Sequence, residues 1–505
     1  MNLLLMGLQA IFQPAVLLWI ALGVTLGVVF GAMPGISATM SIVLCISFTY
    51  SMDPVIAIAF LAAVYCASIT GGSITAIMFK IPGTPSSAAT VLDGYPMVQK
   101  GEAGRALSIA LIGSALGGLL SAIIMFLLTQ PLMSLALKFN SAEQFMVCFL
   151  GLSLLTFIDS KNKVNTFISG LIGLFLGTVG MDRFSSVPRF TFGNSNLLDG
   201  ITELPFMLGM FAIAEILTNI HTYVDFSAYN KDNQAKLTKL ASLKELWSLK
   251  WTALRSGVLG TFVGIVPGAG ATIASWLAYS IESKASKTPE LMGHGDPHGI
   301  CASETANNAA TGGAMVPLLA MGIPGSNAAA MMMTALSIHG VMMGPMLLKA
   351  QPEYLSATFT SMILANIIMI FISLLVARIF AQVLRVPYYI LGTLITMLAV
   401  TGCYAYQARP FDIIIMIAGG IFGYFFKKYK FNTTALILGL VLGSDTEYYL
   451  RRGLKMKRYN FLGFFERPIF TVLFVIFAAL VIYTFVRYFI DKKKAAVTPA
   501  PGDAK

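Results

Sequence analysis

Charge is scarce in this chain. Of 505 residues, 34 are Lys or Arg and 23 are Asp or Glu, 11% in all. An ordinary soluble domain carries roughly 25%. A soluble chain of this length would divide into about three domains of about 150 residues each. Each would need a polar surface, which so few charges cannot supply. The shortage excludes a soluble multidomain enzyme, a disordered protein and a nucleic-acid binder. Cysteine and histidine are scarce too. Cys45, Cys66, Cys148, Cys301 and Cys403 show no C-x-x-C spacing and lie mostly in apolar runs, so they read as small buried hydrophobes. His221, His294, His298 and His339 form no H-E-x-x-H motif, and there is no Walker loop. No Lys or Arg precedes the apolar stretch beginning near Pro14. A cleavable signal wants a positive n-region, so this stretch reads as a retained membrane helix.

What the chain has in abundance is apolar sequence: 56% hydrophobic residues and a mean hydropathy of +0.77. A bilayer core of about 30 Å takes roughly 20 residues of helix. Candidate spans are 14–33, 54–70, 106–130, 143–158, 163–180, 203–220, 256–281, 354–381, 387–406, 410–426 and 468–490. Shorter or Gly/Pro-broken apolar segments lie at 36–50, 73–95, 300–322, 324–347 and 432–448. The expectation is an all-α polytopic membrane protein with about 10–14 spans. The unbroken apolar runs lack the alternation of an outer-membrane barrel. Most basic residues sit in short clusters between these runs, as cytoplasmic loops do. The longest polar interval, 221–255, divides the chain almost in half. Within it, 237–251 could form an amphipathic interfacial helix carrying Trp247 and Trp251, or be a solvated linker.

The two halves resemble each other. Gly27, Gly31, Pro34, Gly35, Ala38 and Thr39 fall on Gly260, Gly264, Pro267, Gly268, Ala271 and Thr272 at a constant offset of 233. Thr70-Gly71-Gly72 aligns with Thr311-Gly312-Gly313 at 241, and Ile81-Pro82-Gly83 with Ile323-Pro324-Gly325 at 242. Weaker echoes pair Gly173 and Gly177 with Gly419 and Gly423, and Leu208-Gly209 with Leu442-Gly443. The expected organisation is membrane repeat one over 1–225, a polar cytoplasmic linker over 226–254 and membrane repeat two over 255–455. An extra C-terminal helix over 456–491 and a polar tail over 492–505 follow.

Duplicated halves with matching Gly/Pro interruptions point to a secondary transporter. A broken helix in a membrane frees main-chain polar groups, which are costly unless they line a cavity or bind something. Pro34-Gly35 and Pro267-Gly268 are such breaks, whereas Gly23, Gly27 and Gly31 read as a small-residue packing face. The segments at Pro82-Gly83 and Pro324-Gly325 read as hairpin tips. Each is followed by small polar residues opening a new helix: Thr84, Ser86 and Ser87, then Ser326 and Asn327. Helix N-termini suit a carboxylate, and these nine residues are the substrate-side candidates. Oxygens at the breaks suit Na⁺, and the cation candidates are Gly35, Ser37, Thr39, Gly268, Thr272, Asn307 and Asn308. No catalytic residue and no cofactor beyond Na⁺ or H⁺ as coupling ion is expected. Glu304, beside Asn307 and Asn308, is either a cation or proton site or a solvated interfacial acid. Lys80 either attracts an anion or snorkels. Asp93 reads as a loop residue.

At these residues the sequence resembles the large membrane subunit of the tripartite tricarboxylate transporters. The resembling motifs are GAMPGISATM (31–40), KIPGTPSSAATVLDGYPMVQKGEAGRAL (80–107), VPGAGATIAS (266–275), GDPHGICASETANNAATGG (295–313) and GIPGSNAAAMMMTAL (322–336). The resemblance implies a multi-pass bacterial inner-membrane permease. It would work with a small membrane subunit and a periplasmic solute-binding protein, amid membrane lipid and with no nucleic acid. It would import tricarboxylates or related carboxylates by ion-coupled, elevator-type transport, hairpin tips from two inverted repeats meeting at the substrate. The alternatives are the permease of an ATP-driven importer or an intramembrane enzyme. Inversion requires corresponding loops on opposite sides, yet 221–255 and the basic cluster 451–458 both look cytoplasmic by charge. Either 432–448 is re-entrant or the charge rule fails there.

Overall fold

The computed structural model describes residues 2–158, 163–219, 240–286, 289–383 and 388–497. Most of the linker and the end of the tail lie outside these ranges. The described residues are helical almost throughout, with one two-stranded ribbon pairing Gly180–Met181 with Pro188–Arg189. The first half comprises α1 (Asn2–Ile11), α2 (Pro14–Ala32), α3 (Ala38–Ile46), α4 (Pro54–Phe79), α5 (Val91–Gln99), α6 (Ala103–Ala136), α7 (Ser141–Ile158), α8 (Lys163–Gly177), α9 (Glu203–Leu208) and α10 (Ala214–Asn219). A π-helical turn, Gly209–Ile213, joins the last two. After α11 (Leu243–Ser248), the second half comprises α12 (Lys250–Ile265), α13 (Gly270–Ala285), α14 (Pro297–Met321), α15 (Asn327–Ile338), α16 (Leu347–Ala350), α17 (Pro352–Val383), α18 (Tyr388–Gln407), α19 (Pro410–Lys428) and α20 (Thr433–Met456). Helix α21 (Pro468–Val497) closes the chain. Five helices, α2, α4, α6, α17 and α19, are long and apolar enough to cross a membrane. The protein is an all-α polytopic membrane protein.

Several elements differ from the sequence expectation. Helix α4 runs nine residues past the expected 54–70 span, and α14 is one continuous helix where a broken segment was expected. Each starts at an Asp-Pro pair. Asp53 and Asp296 accept from the amides of Val55 and His298, and proline fills the first helical position. The expected span 256–281 is instead two helices, α12 and α13, parted at Pro267-Gly268. The interfacial helix expected over 237–251 is a short α11 and the start of α12. Trp247 and Trp251 are exposed there, with Lys250 Nζ over both rings.

The two halves repeat their packing as well as their sequence. In the first, α2 lies on α4 with Gly23, Gly27 and Gly31 against the carbonyls of Phe60, Val64 and Ser68. In the second, Gly260 and Gly264 of α12 lie against the carbonyls of Ala306 and Ala310 on α14. Any Cβ at these glycines would overlap main chain, so the small-residue face is what permits the contact. Gly71 meets the carbonyl of Val28, and Gly313 meets that of Thr261. Gly71 therefore corresponds to Gly313, not Gly312, and one offset of 242 covers the long helices and both tips.

Away from these pairs the halves interlock. Helix α6 packs on α14, and α17 on α4. Helix α8 lies along α20, with Gly173 on the Leu436 carbonyl, while α19 lies along α9 and the π turn, with Gly419 on the Phe206 carbonyl. The residues around α11's start and the 451–458 cluster sit at opposite ends of α6. Ala241 donates to Ser108 Oγ and Arg105 pairs with Glu245 at one end. Gly453 abuts Ala142, and Arg467 donates to the Lys138 carbonyl, at the other. Helix α20 is continuous from Thr433 to Met456, where a shorter or broken segment was expected. Some of the basic residues at and beyond its C-terminal end are paired locally. Arg451 pairs with Asp182 and Glu447, Lys457 with Glu466, and Arg467 with Glu143.

Candidate functional site

Each break ends one helix in an extended residue, Met33 or Val266, before a glycine with positive φ, Gly35 (89°) or Gly268 (82°). Each long helix ends in a left-handed cap, Lys80 (φ 60°) or Gly322 (φ 74°). The next amide folds back: Ile81 N donates to the Thr75 carbonyl at 3.4 Å and Ile323 N to the Pro317 carbonyl at 3.3 Å. This C-terminal reversal satisfies carbonyls that a bare helix end would orphan. Lys80 is the non-glycine member of the pair. Its side chain is exposed, with Nζ 5.6 Å from the centre of the Tyr95 ring.

Both tips then close onto the break of their own half. Gly83 N donates to the Gly72 carbonyl at 3.2 Å, and a Cβ on Gly83 would lie 2.4 Å from the Gly31 carbonyl oxygen. Gly325 accepts from Gly268 N at 2.9 Å, and a Cβ there would lie 2.6 Å from the Gly264 carbonyl oxygen. The helices that follow cross between halves. The first tip's turn, Pro85–Ser87, packs on α13. The second tip's α15 packs on α3, and Tyr65 Oη lies 3.3 Å from Ser326 Oγ. Breaks and tips thus form one interlinked ring, and most of the residues singled out in the sequence lie on it.

Their surroundings differ. Gly83, Thr84, Ser86 and Ser87 are buried, and the Thr84 hydroxyl lies 3.0 and 2.9 Å from those of Ser86 and Ser87. Pro82 is exposed, whereas Pro324 and Gly325 are buried and Ser326 and Asn327 half-buried. Ser326 caps α15 by accepting from Ala329 N at 3.1 Å. Ser37 caps α3 by accepting from Met40 N at 3.3 Å; Thr39 is buried beside it and Thr272 is half-buried on α13. Asn308 stands apart from the ring's oxygens. Its Nδ2 donates to the Ser114 carbonyl at 2.9 Å and to Asn366 Oδ1 at 3.1 Å, and Ser114 Oγ lies 2.8 Å from Thr70 Oγ1. This knot joins α4, α6, α14 and α17.

Two acids are not where the sequence put them. Asp93 is a buried residue of α5, not a loop residue. Its Oδ1 accepts from the amides of Gly293, Gly295 and Asp296, each at 2.8 Å, and its Oδ2 from Tyr279 Oη at 2.9 Å. Glu304 is wholly buried in α14, so it is not a solvated interfacial acid. It accepts from Thr90 Oγ1 and, at 3.0 Å, from Asn307 Nδ2. Sequence reading missed Thr90 because nothing local marks it; only the folded hairpin brings it to α14. Beyond the N-terminal end of α14, Arg255 and His298 face the buried Glu282. Burial raises that carboxyl, but the hydrogen bonds from His298 and Arg255 outweigh it and hold it below its ordinary range. The hydrogen bond with Glu282 raises His298 in turn.

One cavity borders the end of α14 at Gly322, and a second lies beside α8 and α20. The first, of about 280 Å³, is lined by Gly322, Met343, Cys148 and Asp445, and the second, of about 340 Å³, by Arg189, Glu447 and Tyr448. Arg183 and Glu203 line both. Among the described residues no three His, Cys, Asp or Glu side chains converge.

A helical membrane protein whose duplicated halves bury broken helices and polar hairpin tips is built as a carrier. The chain matches the Tripartite tricarboxylate transporter TctA family over residues 17–438, and it belongs to that family. It is 33% identical over 477 residues, 94% of each chain, to an "Uncharacterized 52.8 kDa protein in TAR-I ttuC' 3'region" of Agrobacterium vitis. It is 34% identical over 210 residues to an "Uncharacterized protein in TAR-II ttuC' 3'region" of the same organism, spanning 42% of this chain and 87% of that one. No solved structure matches.

Proposed function

We propose that the chain is the permease subunit of a binding-protein-dependent secondary transporter in a bacterial inner membrane. It imports tricarboxylates or related carboxylates, driven by a Na⁺ or H⁺ gradient. A small membrane subunit and a periplasmic solute-binding protein are its partners. The observation that carries this reading is the ring in which each tip closes on its own break and packs across on the other half. Backbone amides and hydroxyls gather there in apolar surroundings, which suits an anion accompanied by a cation. Inversion of the repeats is supported by contact order. Along α4, Cys66 meets Thr311, while Thr70 meets Ser114, whose carbonyl is held by Asn308. The two long helices therefore run past each other in opposite directions. The described part of the linker after the first half and the basic cluster at the end of the second lie at opposite ends of α6, as inverted repeats require. On an elevator reading, the interlocked α2–α6 and α12–α17 body carries the site past the remaining helices.

The test is uptake of labelled citrate into right-side-out vesicles containing the chain and its two companion subunits. Gradient-driven, saturable accumulation that persists through ATP depletion is expected. Accumulation indifferent to both Na⁺ and H⁺ gradients would remove the coupling, and dependence on ATP with gradients clamped would favour the pump alternative.

A further inference from the structure

Seven carboxylates are buried among the described residues: Asp93, Glu143, Asp182, Glu282, Asp296, Glu304 and Asp412. A buried carboxylate needs a cation or several N–H donors. Glu143, Asp182, Glu282 and Asp412 face Arg467, Arg451, Arg255 and Arg409. Asp93 has three amides and a phenol, and Asp296 caps α14. Glu304 alone has neither an ion-pair partner nor a main-chain donor; it has one hydroxyl and one amide group.

The hydrogens around it are few. Thr90 gives its single hydroxyl hydrogen to Glu304 Oε1. Ser303 gives its own to the carbonyls of Gly299 and Ile300, at 2.9 and 3.1 Å. The two hydroxyl oxygens lie 3.0 Å apart, so Ser303's one hydrogen is shared between those carbonyls and Thr90 Oγ1. Asn307 Oδ1, on the amide that donates to Glu304 Oε2, is buried without any hydrogen-bond partner. Turning that amide over, a change that heavy-atom positions barely register, brings Oδ1 to face the carboxylate. Glu304, Asn307, Thr90 and Ser303 then offer only oxygens around one negative charge. The ionisable groups on the neighbouring elements are engaged elsewhere. Asp93 is held by Tyr279 and Glu282 by Arg255, while Arg105 of α6 pairs with Glu102 and Glu245.

Resting on the carrier reading above, we infer that Glu304, Asn307, Thr90 and Ser303 form a binding site for one Na⁺, clasped between the first hairpin and the second half's long helix. Oxygen donors and a single carboxylate suit a hard monovalent ion, which cancels the buried charge and gives Asn307 Oδ1 its partner. A proton on Glu304 would complete the chain through Thr90 and Ser303 to the Gly299 carbonyl, but it would leave Asn307 Oδ1 unpaired. Because Thr90 belongs to the hairpin, an ion here ties the first tip to α14.

The experiment is thermal unfolding of the full chain in detergent, in NaCl against choline chloride at equal ionic strength, with no carboxylate present. A ligand of the folded state raises the midpoint saturably, here by about 2–4 °C. Wild type should show that rise and Glu304→Gln should lose it. Thr90→Val and Asn307→Ala should each weaken the apparent Na⁺ affinity at least about tenfold, and they serve if Glu304→Gln does not fold. Equal midpoints in sodium and choline, or a sodium-dependent rise that survives the substitutions, overturn the site. A midpoint that follows pH and ignores sodium assigns Glu304 to a proton and overturns it too. None of these outcomes touches the carrier reading, which stands or falls with citrate uptake.

Discussion

Gly83 and Gly325 hold their tips closed because neither carries a Cβ. The Gly31 and Gly264 carbonyls would sit 2.4 and 2.6 Å from one, well inside van der Waals contact. Overpacking of this kind costs about 1–3 kcal/mol, enough to displace a tip without unfolding helices that long. Gly83→Leu and Gly325→Leu should each lower citrate uptake at least about tenfold at unchanged membrane levels, read by immunoblot beside transport. Normal uptake by either variant would remove that tip from the transport path. The glycines were legible in the sequence because the same Pro-Gly pair recurs twice in the same order. Thr90 and the burial of Glu304 were not. A hydroxyl in the run SSAAT gains its role only through a partner 214 residues away, and no local pattern encodes that distance.

Helix-scale features were read with mixed success, for identifiable reasons. Runs such as 14–33 and 410–426 became single helices that no proline interrupts after the first turn. Segment 73–95 is broken, as expected, at the Pro82-Gly83 tip between α4 and α5, whereas 300–322, which looked broken, lies in the continuous α14 although glycine pairs such as 312–313 normally weaken a helix. In the fold those glycines are contact points. Gly71 takes the Val28 carbonyl and Gly313 that of Thr261, so close helix packing outweighs propensity. Four of the long helices also share the polar knot around Asn308. Asn366 accepts from Asn308 Nδ2 at 3.1 Å and donates to the Met362 carbonyl at 2.7 Å, and all of these groups are buried. Replacing it by leucine leaves Asn308 with a donor to place in an apolar interior. Asn366→Leu should destabilise the bundle by about 1–2 kcal/mol. Unfolding in rising dodecyl sulfate, followed by circular dichroism, measures this. A midpoint equal to wild type would mean that the knot is incidental to the association of α17 with α4.

For the molecule as a whole, the open matter in the sequence was sidedness, since both basic segments looked alike by charge. In the second, Arg451 and Lys457 are matched to acids beside them, which weakens the pull that retains Lys and Arg in the cytoplasm. Helix α6, at 34 residues, spans about 50 Å, longer than the apolar core of a bilayer. On the inverted reading the groups at its two ends emerge on different sides. Lys244 and Lys455 are exposed near those ends, and all five native cysteines are buried. Lys244→Cys and Lys455→Cys, made singly, should react with a membrane-impermeant maleimide from opposite faces. Right-side-out vesicles should label position 455, and inverted vesicles position 244. Labelling of both from one face would place the ends of the two repeats together, and the inverted architecture, with the alternating-access reading built on it, would fall.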